Sequence, residues 1–265
     1  MARVIAVANQ KGGVGKTTTA VNVASCLAEV GYKTLLVDLD PQGNATTGVG
    51  IDPRTLYSSM YQVLLGQKTI EETILETPMQ RLFVVPSNLD LAGAEIELVS
   101  VFSRELRLRN AIAVVQNNYD YVIIDCPPSL GILTINGLAA AEEVVIPVQC
   151  EYYALEGLGQ LLNNVKLIQQ NLNKDLFVSS IVLVMFDART RLAEQVVNEV
   201  RGHFPDQVRE TVIPRSVRLS EAPSYGQPVN QYDSLSKGAI AYKALANEIA
   251  KQTIGFKNNG KGIYQ

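Results

Sequence analysis

The sequence predicts an α/β fold: a doubly wound, mostly parallel β-sheet with helices on both faces. The first observation is that short β-branched segments, apolar nearly throughout, recur along the chain with helical patterns between them. Such segments are typical of parallel strands that helices cover on both sides. The second observation is the order strand, glycine-rich loop, helix, strand at the start of the chain. In a sheet of this kind a ligand is expected beyond the carboxyl ends of the strands.

The individual elements follow from periodicity and from the residues that end each pattern. Apolar residues at helical spacing, from Ala20 to Ala28, predict a first helix that stops at Gly31. Further helices are predicted at residues 103–116, 155–170, 192–203 and 239–252. The predicted strands are residues 4–8, 34–38, 82–86, 121–125, 144–148, 180–185 and 208–213.

Length and composition indicate one large domain. The chain has 265 residues, of which 47% are hydrophobic and 18% charged, so burial alone can stabilise a core. We expect a single domain over residues 1–254 and a flexible tail over residues 255–265, where glycine and asparagine are frequent. The formal net charge is −3. Any contact with nucleic acid must therefore come from a local basic patch.

Cysteine usage and the N-terminus bear on the compartment. The three cysteines, Cys26, Cys126 and Cys150, are far apart and form no C-x-x-C pair, so neither a disulfide framework nor an iron–sulfur site is indicated. The N-terminus lacks the pattern of a signal peptide, and no segment is apolar for long enough to span a bilayer. A cytoplasmic location is expected, with no membrane partner.

The glycine-rich loop carries the pattern of a phosphate-binding site. Glycines allow backbone N–H groups to converge on an anion, and the helix that follows adds the positive end of its dipole. Lys16 can reach the β- and γ-phosphates, and the Thr17 hydroxyl can bind Mg²⁺. The ATP-binding residues predicted from this loop are Lys11, Gly12, Gly13, Val14, Gly15, Lys16, Thr17 and Thr18.

The loop departs from the usual G-x-x-x-x-G-K-[ST] pattern. Gln10 stands at the first glycine position, and a second lysine, Lys11, opens the motif. Here the chain resembles the deviant Walker A family of ATPases that includes ParA, Soj, MinD and the nitrogenase iron protein. The resemblance implies an ATP-sandwich homodimer in which Lys11 reaches the nucleotide of the partner subunit. A solvated surface lysine is the alternative.

Two strands end on carboxylates. The segment 35–44 carries Asp38 and Asp40, which cannot both point to one face of a strand, so Asp40 projects from the loop that follows. The resemblance implies that Asp40 orients or deprotonates the attacking water, and Asp40 is also a candidate metal ligand. Asp125 ends an apolar strand, as a Walker B aspartate does, and is expected to bind Mg²⁺. Turn-forming or N-capping aspartates are the alternative for Asp38 and Asp40.

The adenine site is less clearly marked. The segment 212–215 ends the last predicted strand, and in the family this segment packs on the base. Pro214 and Arg215 are therefore candidate nucleotide contacts. Met185, at the end of the preceding predicted strand, is a further candidate side chain to border the adenine. All three could instead be core or turn residues.

Three further stretches, residues 86–95, 150–157 and 217–226, closely resemble the chromosomal ParA/Soj subgroup. The resemblance implies a slow ATPase that segregates chromosomes or plasmids on the nucleoid. It further implies that the ATP-bound dimer binds double-stranded DNA without sequence preference. A ParB/Spo0J-type protein would then stimulate hydrolysis, and hydrolysis would release the dimer from the DNA. The DNA-binding residues carried over are Arg189, Arg215 and Arg218. Solvated surface arginines are the alternative, because nearby carboxylates match these charges in number.

A MinD-like ATPase that switches on membranes is the main competing function. It would require an amphipathic C-terminal helix with basic residues opposite bulky apolar ones. The tail after Ile254 contains Phe256, Ile263 and Tyr264 but also glycines throughout, so it is a poor helix. The sequence therefore favours a DNA-binding function over a membrane-binding one.

Overall fold

The computed structural model describes residues 1–151 and 154–252, so the predicted flexible tail at 255–265, which would carry any membrane helix, lies outside the described residues. A seven-stranded sheet has the order β3-β4-β2-β5-β1-β6-β7. The pairing of β3 with β4 is antiparallel, and every other pairing is parallel. The strands are β1 Arg3–Val7, β2 Thr34–Asp38, β3 Leu75–Glu76, β4 Leu82–Val85, β5 Tyr121–Asp125, β6 Glu143–Gln149 and β7 Phe177–Val184.

Helices cover both faces of this sheet, which confirms the predicted fold class. One apolar core lies under α3 to α8, and the second lies under α1, α2, α10 and α11. The helices are α1 Lys16–Glu29, α2 Asn44–Gly48, α3 Met60–Leu65, α4 Leu91–Glu97, α5 Arg107–Val115, α6 Ile132–Ala140, α7 Ala154–Asn171, α8 Arg191–His203, α9 Val217–Glu221, α10 Val229–Tyr232 and α11 Lys237–Lys251. Among the described helices, none combines the length and hydropathy that a bilayer crossing requires.

The parallel register brings two predicted carboxylates to one sheet edge. Asp38 of β2 lies opposite Asp125 of β5, and Val7 of β1 lies opposite Asp125 on its other side. The glycine-rich loop starts directly after β1. The three segments with chemical motifs therefore meet at the carboxyl ends of three adjacent strands.

The predicted strand at residues 208–213 is wrong. This segment follows the outer edge of β7 and forms only isolated bridges, Ile181 with Val208 and Phe186 with Pro214. Between the bridges the backbone N–H groups of Glu210 and Thr211 donate to the Glu248 carboxylate of α11, at 2.8 and 3.2 Å. Because a side chain takes the donors that a ladder would need, the strand does not form.

Other boundaries shift for local reasons. The predicted helix at 103–116 begins at Arg107, since Ser103 adopts a φ of 54° and a 3₁₀ turn, Arg104–Leu106, precedes the helix. Strand β7 ends at Val184, because Met185 has a φ of 55°, a left-handed conformation that extended backbone cannot accommodate. The sequence patterns did not reveal α4 and α6.

A buried ion pair closes the opposite end of the sheet. The Arg3 guanidinium donates to both carboxylate oxygens of Glu143, at 2.8 and 2.9 Å, and to the Ile249 carbonyl near the end of α11, at 2.8 Å. The Glu143 side chain is 3% exposed, and that of Arg3 is 12% exposed. One guanidinium thus joins β1, β6 and α11.

We expect Arg3→Met to lower the free energy of unfolding by about 3–5 kcal/mol, because it leaves the buried Glu143 carboxylate without its cation. Urea unfolding measures the change. The matched control is Arg54→Met, which breaks the exposed pair between Arg54 and Asp52 and should have no measurable effect. Equal effects of the two substitutions would contradict this account.

Candidate functional site

The loop between β1 and α1 presents backbone donors to an anion. Gly13 and Gly15 have φ values of 74° and 77°, which favour glycine at both positions. Gly15 precedes α1, and among the described residues no side chain caps the N-terminus of that helix. The first N–H groups of α1 are therefore left for an external acceptor at the positive end of the helix dipole.

Asn9, which the sequence motifs did not mark, anchors the start of this loop. Its buried side chain donates from Nδ2 to the Pro147 carbonyl of β6, at 2.7 Å. Its Oδ1 accepts the backbone N–H of Lys11 at 3.0 Å. A single amide thus fixes the loop to the neighbouring strand. A polar residue next to an otherwise buried strand was the only signal in the sequence.

The two lysines of the loop point to different places. The ammonium group of Lys16 lies across the loop and donates to the Lys11 carbonyl at 3.0 Å. Burial lowers the pKa of Lys16, and the nearby Asp125 and Asp40 carboxylates oppose this shift. The side chain of Lys11 extends instead to Glu151, at 3.4 Å, and remains 43% exposed. Only Lys16 therefore lies over its own phosphate loop.

Asp38 is a structural carboxylate. Its Oδ2 accepts the backbone N–H of Thr46 at 2.8 Å and the Thr46 hydroxyl at 2.7 Å, and its Oδ1 accepts the backbone N–H of Asp40 at 3.1 Å. The Thr46 hydroxyl also accepts the backbone N–H of Ser87 at 2.9 Å. Burial raises the pKa of Asp38 to about 6, and the bonds from Thr46 oppose this rise. Asp38 holds the loop that carries Asp40.

Asp40 lies in that loop, as predicted, and is 8% exposed. Its Oδ1 accepts the backbone N–H of Gln42 at 2.9 Å. Among the described residues its Oδ2 has no hydrogen-bond partner. The geometry therefore leaves one carboxylate oxygen, at the rim of the site, able to accept a proton or to hold a water molecule.

Asp125 is fully buried, and no hydrogen bond of good length and angle reaches either of its carboxylate oxygens from the described residues, although the nearby Thr17 hydroxyl lowers its pKa. Buried polar groups in proteins are nearly always paired. Burial raises the pKa of Asp125 well above its ordinary value, and the neighbouring Asp38 carboxylate raises it further. A cation between Asp125 and the phosphate loop would supply the missing partner.

The donors present fit a hard divalent cation. Thr17 stands in the first turn of α1, and its hydroxyl, directed at Asp125, lowers the pKa of that carboxyl. A hydroxyl and a carboxylate, completed by phosphate oxygens and water, are the ligands that Mg²⁺ prefers beside a nucleotide. Among the described residues no three His, Cys, Asp or Glu side chains form a metal cluster on their own.

The predicted adenine contacts lie near the same loop. Met185 is half-buried, and its Cε lies 3.8 Å from the position that a Cβ on Gly15 would take. The backbone N–H of Arg215 donates to the Phe186 carbonyl at 2.9 Å, so the segment with Pro214 lies beside Met185. The structure brings these residues together at one side of the loop, while the Arg215 side chain is exposed.

The predicted DNA-binding arginines are exposed, and two of them are held by carboxylates. Arg189 donates twice to Asp187, at 2.9 and 2.7 Å. Hydrogen bonds from Arg189 lower the pKa of Asp187, and the charge of Arg215 lowers it further. Arg218 pairs with Glu221 at 2.9 Å and with Asp233 at 3.2 Å. The structure thus groups Arg189 with Arg215 around Asp187.

Comparison with known proteins decides the family. The family model of an AAA domain matches residues 2–178. The sporulation initiation inhibitor protein Soj of Bacillus subtilis is 56% identical over 94% of this chain and 99% of its own length. The chromosome partitioning protein ParA of Myxococcus xanthus is 54% identical over 94% of this chain and 88% of its own. The chain belongs to the Soj/ParA family of chromosome-partitioning ATPases. The predicted resemblance is therefore confirmed.

Solved structures agree with the Soj/ParA fold. A Mycobacterium smegmatis protein named cobyrinic acid a,c-diamide synthase, with a bound ATP analogue and magnesium, has a TM-score of 0.83 and 41% identity over 94% of this chain and 95% of that chain. The septum site-determining protein MinD of Pyrococcus horikoshii, complexed with Mg-ADP, has a TM-score of 0.76 and 26% identity over 95% and 97%. The Soj/ParA chain shares its architecture with both.

We expect the pH dependence of stability to report the buried carboxylates. A carboxyl with a raised pKa binds more protons in the folded chain than in the unfolded chain, so it lowers stability as pH rises from its ordinary pKa of 3.8 through about 6. Asp125→Asn removes one such group. The nucleotide-free variant should therefore lose less stability than wild type as pH rises above about 4.

Urea unfolding at several pH values measures this difference. The control is Asp90→Asn, an exposed carboxyl, which should leave the pH dependence unchanged. If the unfolding free energy of Asp125→Asn changed with pH as steeply as that of wild type, burial would not raise the pKa of Asp125, which would contradict this account.

Proposed function

We propose that this chain is a nucleotide-controlled segregation ATPase. Mg-ATP drives formation of a sandwich homodimer, the dimer binds double-stranded DNA on the nucleoid without sequence preference, and a ParB/Spo0J-type protein stimulates the hydrolysis that releases it. The observation that carries this proposal is the buried, unpartnered Asp125 carboxylate beside Lys16 at a glycine-rich loop. Membership of the Soj/ParA family of chromosome-partitioning ATPases supports DNA binding as the function that the nucleotide controls.

The phosphate site would be formed by residues 11–18. The α1 N-terminus and the glycine backbone would bind the phosphates, and Lys16 would exchange its bond with the Lys11 carbonyl for a charged phosphate oxygen. Thr17 and Asp125 would hold Mg²⁺, with Asp40 close by. Bound magnesium would neutralise charge on the phosphates. Met185 and Pro214 would border the base, and ADP would remain as the product.

Asp40 is our candidate for positioning the attacking water. Its Oδ1 is occupied by the Gln42 backbone, and its Oδ2 has no bonded donor among the described residues. A carboxylate held in this way can orient a water or accept its proton. Because the Asp40 carboxylate would stand beside the negative charge of the phosphates, it is an imperfect activator of water there, and we expect slow hydrolysis in the absence of a partner.

Lys11 is our candidate for the trans contact. Its ammonium group leaves its own phosphate loop and pairs with the exposed Glu151 at 3.4 Å. An exposed pair of this kind contributes little stability. The lysine can therefore exchange Glu151 for the phosphate of a partner subunit at low cost.

We expect Lys11→Ala to abolish dimerisation with a non-hydrolysable ATP analogue while nucleotide binding by the monomer is retained. Glu151→Gln is the matched control, because it breaks the same ion pair but keeps the amine, and it should dimerise as wild type does. Analytical ultracentrifugation measures the dimer fraction. A Lys11→Ala protein that dimerised as wild type does would rule out the trans role.

Two contacts support a link between the nucleotide site and Arg218. Gly50, which follows α2 and the Asp40 loop, packs so closely on Gly226 that a Cβ on it would lie 3.1 Å from the Gly226 carbonyl oxygen. On the other side, Asn22 of α1 accepts the backbone N–H of Val229 at 2.7 Å. The segment with Arg218 thus rests on both the Asp40 loop and the phosphate-loop helix.

Ser25 and Glu29 extend this link along the polar face of α1. Ser25 donates to the Asn230 side chain at 2.9 Å, and Asn230 donates to Glu29 at 3.0 Å. Asp233, at the end of α10, holds Arg218 at 3.2 Å. A shift of α1 or of the Asp40 loop on nucleotide binding would therefore move the arginine.

We expect Arg218→Glu to weaken DNA binding by about tenfold or more, because it replaces a phosphate contact with a repulsive charge. ATP binding and dimerisation should stay unchanged. The matched control is Arg109→Glu on α5, an exposed arginine with the same change of charge. Fluorescence anisotropy with labelled duplex DNA measures the affinity. Equal losses in the two variants would indicate a general charge effect and contradict the assignment.

The function as a whole is tested by DNA binding with ADP, with ATP and with a non-hydrolysable analogue, each at low and high salt. Only the triphosphate forms should bind, with little dependence on sequence and with affinity that falls steeply as salt rises. Binding to anionic vesicles in place of DNA would contradict the proposal and favour the MinD-like alternative.

A further inference from the structure

Thr46 joins three elements beside the nucleotide site through one buried hydroxyl. The residue lies in the first turn of α2 and is fully buried. Its Oγ1 accepts the backbone N–H of Ser87, just after β4, at 2.9 Å. The same hydroxyl donates to Oδ2 of Asp38, the last residue of β2, at 2.7 Å. Thr46 therefore connects α2 to the ends of two neighbouring strands.

The direction of these two bonds is fixed by the groups that form them. A backbone N–H can only donate and a carboxylate can only accept, so the Thr46 hydroxyl accepts from Ser87 and donates to Asp38. Hydrogen bonds in such a chain polarise and strengthen one another. A side chain without a hydroxyl at position 46 would break both bonds at once.

The same groups close the loop that carries Asp40. Oδ2 of Asp38 also accepts the Thr46 backbone N–H at 2.8 Å, a donor that the N-cap residue Gly43, which has no side chain, leaves unpaired. At the other end of the loop, Oδ1 of Asp38 accepts the backbone N–H of Asp40 at 3.1 Å. The backbone N–H of Gly43 donates to the Asp40 carbonyl at 3.0 Å. The backbone of Asp40 is thus held on both sides.

The loop also rests directly on the end of β4. Gly43 has a φ of 63°, and a Cβ on it would lie 2.9 Å from the Ser87 carbonyl oxygen, so the two backbones meet there without room for a side chain. The Thr46 hydroxyl binds the N–H of that same serine. Both contacts fix the loop relative to the sheet, which also carries the phosphate loop after β1. Thr46 therefore helps to fix where Asp40 lies relative to the phosphate loop.

We propose that Thr46 is a positioning residue for ATP hydrolysis, whose hydroxyl holds the Asp40 loop where Asp40 can address the attacking water. Its hydroxyl is engaged by Ser87 and Asp38, so it acts through Asp40 and not on the nucleotide. A misplacement of about 1 Å in a reacting geometry can slow a reaction by about a hundredfold. This inference rests on the proposed function, in which Asp40 positions the water.

The test compares Thr46→Val, which keeps the shape of the side chain but removes the hydroxyl, with the matched control Thr47→Val. Thr47 is exposed, and its hydroxyl donates to the Gly43 carbonyl within its own helical turn, at 3.1 Å. Thr46→Val should lower kcat for ATP by about tenfold or more, with KM and analogue-driven dimerisation unchanged. Thr46→Ser, which restores the hydroxyl, should recover most of the rate. Thr47→Val should hydrolyse ATP as wild type does.

A double substitution separates positioning from general damage. If Thr46 acts through Asp40, then adding Thr46→Val to Asp40→Asn should slow single-turnover hydrolysis little further than Asp40→Asn alone. Damage that does not involve Asp40 would instead add its full loss. Thr46→Ala, whose smaller side chain cannot clash, replaces Thr46→Val in every measurement if the valine variant does not fold by circular dichroism.

Any of four results would overturn the inference. They are a wild-type kcat in Thr46→Val, an equal loss in Thr47→Val, full additivity with Asp40→Asn, and loss of nucleotide binding in both Thr46→Val and Thr46→Ala. The last result would assign Thr46 to the fold alone. All four leave the proposed role of Asp40 intact. Wild-type turnover in Asp40→Asn is distinct from them, since it would contradict that role and the inference together.

Discussion

The buried carboxylate of Asp125 is the feature on which the rest of the site depends. It lies at the end of a fully buried strand, opposite Asp38, and no hydrogen bond of good length and angle reaches it from the described residues. An arrangement of this kind costs stability in the empty protein, since burial and a like charge both oppose ionisation. Thr17 and Lys16 oppose this cost, and a bound cation would offset it further. Binding of a cation at such a site would therefore stabilise the folded chain.

The two neighbouring aspartates, Asp38 and Asp40, differ in their hydrogen bonds. Asp38 accepts two hydrogen bonds from Thr46 and one from the Asp40 backbone N–H, and these bonds fix the geometry of the loop. Asp40 accepts the Gln42 backbone N–H with one carboxylate oxygen, and its other oxygen has no bonded donor among the described residues. The loop geometry is thus fixed by Asp38, while Asp40 keeps an oxygen for the chemistry we propose for it.

Much of this could be predicted from the sequence, because the motif residues follow strand ends. The parallel strands, the phosphate loop and the exit of Asp40 from β2 all follow from local patterns. The failed strand at 208–213 depended on Glu248, a residue distant in sequence that takes its donors. Asn9 was missed for a similar reason: its significance lies in tertiary contacts, which periodicity alone does not reveal.

The central claim, that Asp125 completes a magnesium-nucleotide site, is tested most directly by calorimetry of ATP-analogue binding with and without Mg²⁺. Wild type should bind more tightly with magnesium, and Asp125→Asn should lose that gain while it keeps magnesium-free binding. Asp38→Asn, an equally buried neighbour, should keep the gain. A full magnesium effect in Asp125→Asn would contradict the account.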